Sequence, residues 1–347
     1  MTLIYFILVL GIIVLVHEFG HFIFARRAKI HVYEFSIGMG PTVIKSKPDK
    51  YGTIYSIRLI PIGGAVMLAG EGGEEDSKIS KDKTIQGKSW SARFLTMVAG
   101  AMFNFIFALL VLFAIGLFWG SPETKPYVMI AGTNLPAYKE GIRDGDLILE
   151  VNGKKVKSWD ELLLELELVD KGSEIVFKVK TNNENIKDVS VTPEKYKDEN
   201  GIESYKYGIS SPSKKKYGFM NSLSYALNKF VSLIKTMWTV IKSLVTGGLG
   251  LGSMSGPIGI YNVIGSQASR GFDNILYLMA FISINVGFIN LLPIPAFDGG
   301  RVLFLVIEKI IGRPVNENVE NMIHNIGFFL LMGLMIIITF NDVIKLF

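Results

Sequence analysis

The residues with the clearest chemistry are His17-Glu18-Phe19-Gly20-His21. On a helix, positions four apart lie on one face, so the two imidazoles can grip one zinc ion. Glu18 then stands beside that ion as a base for an attacking water. The motif falls within an apolar run, residues 3–25, long enough to cross a bilayer. An ionisable residue inside a span is costly and marks a functional site by default. Type and spacing together point to hydrolysis inside a membrane.

A hydrolytic zinc site takes three protein ligands and leaves one position open. His31 follows the first apolar run too closely to fold back onto it, whereas His324, at the start of the last run, stays open. Asp298 is the better candidate. It lies in Asn290-Leu-Leu-Pro-Ile-Pro-Ala-Phe-Asp-Gly-Gly-Arg301, where Pro293 and Pro295 break a helix and can aim the next residues inward. The plain alternative is that Asp298-Gly-Gly is only a turn. Asn285 and Asn290 precede the break, and an amide in a membrane needs partners. Those partners are either neighbouring helices or the backbone of an unwound substrate. Gly100-Ala-Met-Phe-Asn104 offers a small-residue contact surface and one more polar group, with Gly100 read as helix packing.

Four apolar runs are expected to position these residues as spans: 3–25, 94–119, 275–294 and 323–340. Arg26, Arg27 and Lys29 follow the first, and Lys81, Lys83, Lys88 and Arg93 precede the second. Arg301, Lys309 and Arg313 lie between the third and fourth, so these ends are read as cytoplasmic. Both termini and the stretch 120–274 are then outside. Residues 32–37 and 53–60 alternate with period two, which predicts a hairpin or small sheet just after the His-Glu-x-x-His helix. Residues 71–83 read as a polar loop. Residues 121–213 read as a soluble α+β domain with a helix at 159–169 and a strand at 175–179.

Phe219, Leu223, Leu227, Phe230, Ile234, Trp238, Ile241 and Val245 then recur at helical spacing. They predict an amphipathic helix, lying either on the membrane surface or against the soluble domain. Residues 247–259 form a glycine-rich loop and a candidate hinge.

Composition agrees with a membrane protein. Hydrophobic residues make up 49% of the 347, and the mean hydropathy is +0.37. There is no cysteine, which excludes disulfides and thiol chemistry. The net charge of +5 suits loop lysines near anionic lipid, and no basic-aromatic pattern for nucleic acid is present. The first apolar run lacks a basic leader and carries the His-Glu-x-x-His motif, so it reads as a retained span.

The order of motifs resembles the site-2 protease family of intramembrane zinc metalloproteases, in its bacterial RseP/RasP-type branch. The resemblance runs nearly end to end. It is carried by residues 17–21, by 100–104, and by Asn285-Val-Gly-Phe-Ile-Asn-Leu-Leu-Pro-Ile-Pro-Ala-Phe-Asp-Gly-Gly300. Met254-Ser-Gly-Pro-Ile-Gly-Ile260 also matches, and Leu135-Pro-Ala137 with residues 140–153 resembles a bacterial PDZ domain.

The resemblance implies zinc on His17, His21 and Asp298, with Glu18 as catalytic base and Asn285 and Asn290 engaging substrate. It implies a polytopic α-helical protein of the bacterial cell membrane, with four transmembrane helices and a membrane-reentrant β-hairpin near 31–70. Its parts are 1–119, an extracytoplasmic PDZ-like domain at 120–213, an amphipathic and glycine-rich stretch at 214–274, and a second helical part at 275–347. The implied substrates are transmembrane segments of membrane proteins already trimmed by another protease, such as anti-sigma factors or remnant signal peptides.

Phe297 stands where the family usually has Leu, and Ala101 where many members have Pro. One PDZ-like segment is present where some members carry two. The competing reading is a non-catalytic membrane PDZ protein with a structural metal site. A metal transporter is a weaker one, because no string of ligands crosses the bilayer.

Overall fold

The computed structural model describes residues 1–70, 79–197, 203–250, 252 and 254–344. It divides into two compact units, one of residues 1–111 with 251–347 and one of residues 112–250.

The first unit begins with α1 (Thr2–Arg27). This helix has no proline and no charge until Glu18, so its backbone bonds are all internal, as a span requires. It stops where Lys29 turns to a left-handed φ of 58°, and the amides of Ala28, Lys29 and Ile30 return to the last turn. Next come β1 (Val32–Lys45) and β2 (Ile54–Leu68), both longer than the period-two pattern predicts. They are antiparallel, and each folds back on itself. Residues 34–37 pair with 54–57 on one side and with 64–67 on the other, while 42–45 pair with 56–58. Gly38 makes the bend possible: its φ is +87°, and a Cβ there would lie 2.5 Å from the Ile60 carbonyl oxygen. The polar loop expected over 71–83 lies outside the described residues from 71 to 78. Its last three residues form a short 3-10 turn. α2 (Trp90–Phe118) follows.

In the second unit, β3 (Ser121–Pro122), β4 (Met129–Ile130) and α3 (Pro136–Lys139) precede β5 (Leu147–Val151) and β6 (Lys154–Lys155). Then come α4 (Trp159–Glu167), β7 (Ile175–Lys180) and β8 (Ile186–Val191). The strands β9 (Glu194–Lys197), β10 (Glu203–Lys206), β11 (Ile209–Ser210) and β12 (Lys215–Lys216) lead into α5 (Phe219–Val245). The main sheet has the order β6-β5-β7-β8. Its inner face buries Ile148, Val151, Ile175, Phe177 and Val179 against Leu162 of α4 and Ile142.

The amphipathic residues are helical, and α5 packs on α4. Lys229 pairs with Asp160 at 2.6 Å, and the Ser232 hydroxyl lies 2.6 Å from that of Ser158 and 2.7 Å from Asp160. Packing satisfies one face only. Phe219, Met220, Leu227, Val231 and Trp238 remain exposed on the rest of the helix.

The first unit resumes with α6 (Pro257–Ala268), so the end of the predicted glycine-rich loop is helical; residues 251 and 253 lie outside the described set. α7 (Phe272–Leu291), α8 (Asp298–Ile311) and α9 (Glu317–Ile344) complete it. α7 ends three residues before the predicted limit, because Leu292 is extended ahead of Pro293. One core joins Val9 and Ile13 of α1 to Ile264 of α6 and to Ile275, Leu278 and Ile282 of α7. At the other end of α1, Ala25, Val32, Leu68, Met97 and Leu305 pack together. Trp90 and Arg93 of α2 fasten α8 there, through the Leu305 carbonyl at 2.8 Å and Glu308 at 2.7 Å. Four helices, Thr2–Arg27, Trp90–Phe118, Phe272–Leu291 and Asn318–Ile344, are long and apolar enough to cross a bilayer. The chain is a polytopic membrane protein.

Candidate metal centre

His17 and His21 are one turn apart on α1, and both rings face Gly100 of α2. The helices approach closely because neither contact residue has a side chain. A Cβ on Gly20 would lie 2.4 Å from the Ala99 carbonyl oxygen. A Cβ on Gly100 would lie 2.4 Å from His21 Nε2 and 2.8 Å from His17 Nε2. Gly100 therefore does more than pack helices; it leaves the space in which the two donors meet.

Asp298 arrives from the opposite side. The Pro293–Pro295 break ends α7, Ala296 takes a left-handed φ of 78°, and Asp298 opens α8 as its first residue. Gly299 is obligatory in that turn, since a Cβ would lie 2.1 Å from the Leu292 carbonyl oxygen. His324, the other sequence candidate for the third ligand, lies outside the donor cluster. Its Nδ1 accepts the Ala296 amide at 3.1 Å and so holds the turn that presents Asp298.

Three donor atoms converge. His17 Nε2 and His21 Nε2 are 3.2 Å apart, and Asp298 Oδ2 is 3.1 Å from the first and 3.2 Å from the second. A tetrahedral zinc with bonds of about 2.0–2.1 Å has ligand atoms about 3.3–3.4 Å apart, so this triangle has the size of one face of that tetrahedron. The far side of each ring fixes which nitrogen is free. His21 Nδ1–H donates to the Thr96 carbonyl at 2.8 Å, which leaves Nε2 as a lone pair. His17 Nδ1 is 3.3 Å from the fully buried Asn104 amide, whose oxygen has no other partner. With the amide turned so that this oxygen accepts Nδ1–H, the orphan is satisfied and His17 Nε2 is also a free lone pair. Asp298 Oδ2 likewise has no hydrogen-bond partner. Three lone pairs held this close suit a cation, and the donor set fits zinc.

Glu18 borders the same cavity of about 320 Å³, with Val66, Leu68, Met97, Arg301 and His324 in its wall. The outer run of β2 supplies Val66 and Leu68, and a Cβ on Gly64 would lie 3.3 Å from Glu18 Cγ. Asn285 and Asn290 are not among the residues lining this cavity. The Asn290 amide bonds the Val286 carbonyl of its own helix, and Asn285 Oδ1 is buried without a partner. His31 lies away from the centre, in the wall of another cavity at the end of α1. Sequence reasoning gave no sign of the Thr96 carbonyl, because any residue type carries that group. Only its place one helix turn before Gly100 could have suggested it.

Two histidines and a carboxylate converging beside a glutamate, among helices of membrane-spanning length, define a metal-dependent hydrolase of the membrane interior. The chain belongs to Peptidase family M50, whose model matches residues 5–334, and the site-2 proteases are that family. It is similar to the regulator of sigma-W protease RasP of Bacillus subtilis, with 32% identity over an alignment covering all of this chain and 99% of that protein. The zinc metalloprotease RasP of Shouchella clausii is also 32% identical, again over 100% of this chain and 99% of its own length. A Clostridium acetobutylicum relative is 36% identical over 97% of this chain and 96% of itself. The chain is an intramembrane zinc metalloprotease of a bacterial multi-pass membrane protein family, cutting peptide bonds within transmembrane segments.

Proposed function

We propose that His17, His21 and Asp298 are the zinc ligands, that Glu18 is the general base, and that the scissile segment enters beside the outer run of β2. The observation that carries this reading is the donor triangle of 3.1–3.2 Å on the helix that also bears Glu18. Bound zinc supplies Lewis acidity to the substrate carbonyl and to the attacking water. The Glu18 carboxylate takes the proton of that water and passes it to the nitrogen of the departing strand. Thr96 and Asn104 hold the two imidazoles so that the ligand atoms need not reorganise.

A substrate helix hides its carbonyls in its own hydrogen bonds and must unwind before attack. The run 64–68 gives an extended segment a strand to pair with, next to Glu18. The partnerless Asn285 Oδ1 offers an acceptor for a freed amide, and Asn290 lies one turn and a half further along the same helix. Val43, Ile44, Leu59 and Ile60 of the hairpin are exposed and apolar, which suits a reentrant sheet dipping into lipid. The second unit acts as a PDZ-like extracytoplasmic filter. Its cavity of about 540 Å³, between α4 and residues 204–209, is lined by Leu163, Leu166, Tyr205 and Ile209. The basic flanks of the spans support a metal centre near the cytoplasmic face. The name of the Bacillus subtilis relative, a regulator of sigma-W, makes a trimmed anti-sigma-type membrane protein the first substrate to test.

The deciding experiment compares the purified wild type with Glu18→Gln on a single-span model substrate, with zinc analysis of both. Cleavage is expected to fall by about 10²–10⁴-fold, the usual size of a general-base contribution, with zinc content unchanged. Full cleavage by the variant refutes the assignment.

A further inference from the structure

We propose that the cavity at the C-terminal end of α1 binds the phosphate headgroup of an anionic membrane lipid. The cavity has a volume of about 640 Å³ and is separate from the metal centre. Three distant stretches of chain bring cations into its wall: Arg26 and Lys29 from the end of α1, Lys50 from the β1–β2 turn, and Lys83 from the turn before α2. Among the described residues Asp49 is the one carboxylate in that wall, and its oxygens are already engaged. They accept from Arg26 at 2.5 Å, from the Tyr55 hydroxyl at 3.2 Å, and from the Tyr51 and Thr53 amides at 2.8 and 3.0 Å. Among the described residues, Lys29, Lys50 and Lys83 form no ion pair, and the buried Arg26 Nε has no hydrogen-bond partner. Among the described residues the wall therefore holds four cations against one occupied anion, which suits a multiply accepting anionic group.

Two further observations favour a lipid headgroup as occupant. The first is depth. α1 is of membrane-spanning length and ends at Arg27, so the cavity opens where the span reaches the headgroup layer. The second is Lys29 itself. It closes α1 at a φ of 58°, a conformation that costs a side-chain-bearing residue energy and that glycine adopts freely. The backbone gains nothing from a lysine there, whereas the cavity gains an ammonium group. The general need for positive charge near the end of a span does not explain the convergence either, because that need is met by lysines anywhere in a short loop. Tyr51 completes the floor, its ring 4.4 Å from the Arg26 guanidinium, and holds that cation in place.

The test uses the full chain in a neutral detergent, titrated with short-chain phosphatidylglycerol, short-chain phosphatidylcholine or inorganic phosphate. Bound lipid is counted by native mass spectrometry, and thermal unfolding is followed in parallel. Wild type is expected to bind phosphatidylglycerol about tenfold more tightly than phosphatidylcholine. Lys29→Gly should weaken that binding about fivefold, the worth of one lysine near an anionic surface. Without lipid its unfolding temperature should be unchanged or higher, because the backbone strain is relieved. A variant carrying Lys29→Gly, Lys50→Gln and Lys83→Gln together should bind about 100-fold more weakly. Lys50→Gln with Lys83→Gln serves as the test should the Lys29 variant not fold. Phosphatidylglycerol bound equally by the triple variant and the wild type overturns the site. Inorganic phosphate bound as tightly as phosphatidylglycerol, and lost in the same variants, overturns the lipid as its occupant.

Discussion

Replacing Gly100 with alanine should weaken zinc binding sharply without unfolding the protein. The added Cβ would lie 2.4 Å from His21 Nε2 and 2.7 and 2.8 Å from His17 Cε1 and Nε2, where ordinary contact begins near 3.4 Å. One ring must therefore retreat by about 1 Å, several times the roughly 0.2 Å over which ligand distances in a working metal site vary. Neither ring can retreat freely, since His21 is tied to the Thr96 carbonyl and His17 to Asn104. Nor can α2 step back as a whole without opening the Gly20–Ala99 contact that seats it on α1. The donor triangle opens, and zinc affinity is expected to fall by at least about 10–100-fold, the loss that follows displaced ligand orientation. Competition with a chromophoric chelator measures the affinity, and cleavage of the model substrate should fall in parallel. Gly333→Ala is the control: it lies in α9 with nothing within 4 Å of its Cβ, so both readings should match the wild type. Zinc affinity in Gly100→Ala equal to the wild type would refute the idea that this glycine makes room for the donors.

Asn104→Leu removes the partner of His17 Nδ1 while keeping a similar volume. Zinc affinity should drop about 10–100-fold by the same competition assay, and Asn104→Gln should not restore it, since the longer side chain cannot place its oxygen alike. In the second unit, burial tends to raise the Glu123 carboxyl, but the Lys216 ammonium at 3.0 Å and the Lys125 and Thr124 amides outweigh it and hold the group below its ordinary range. A carboxyl lowered in the folded state adds stability above its unfolded pKa, near 4.3, and loses it as pH falls through the folded value. Because Lys216 is largely exposed, the effect is at most about 0.5 kcal/mol. Thermal unfolding should show Glu123→Gln slightly less stable than wild type at pH 7 and equal to it near pH 3.

What could be read in the sequence divides along physical lines. Spans were legible because hydrocarbon admits few alternatives: long apolar runs must be helices, although the third, read as reaching 294, ends at Leu291 ahead of Pro293. The donor types were legible because His17 and His21 repeat at the helical period, and Asp298 follows a break that turns the chain. The hairpin was seen only as two short runs. Its doubling into four paired runs depends on Gly38 and on pairing between residues far apart, which local alternation does not encode. Two readings of the amphipathic helix stood equal in the sequence, since one apolar stripe suits protein or lipid. Packing of α5 on α4 accounts for one face of the helix and leaves Phe219, Met220 and Trp238 exposed. Gly100 packs against Gly20 as its residue type predicts, but the space it leaves for the two imidazoles is not legible in the sequence, because a missing side chain gives no sign of what occupies it.

The membrane setting explains why this centre is ordered by its own side chains. In water, an imidazole N–H without a protein partner is solvated, and either tautomer persists. Between helices in hydrocarbon, an unpaired N–H costs several kcal/mol, so the partner dictates the tautomer. The Thr96 carbonyl therefore satisfies a buried N–H and turns the His21 Nε2 lone pair toward Asp298, and the Asn104 amide does the same for His17 when its oxygen faces Nδ1. The same reasoning marks Asn285 as an exception. Its Oδ1 is buried on α7 with no hydrogen-bond partner among the described residues. A lone buried acceptor close to the helix break is a cost to the resting protein. An unwound substrate segment, with amides released from their own helix, carries the matching donor. On the proposed reading, in which Asn285 engages substrate, that cost would be recovered while substrate is bound, favouring the unwound segment over the intact helix.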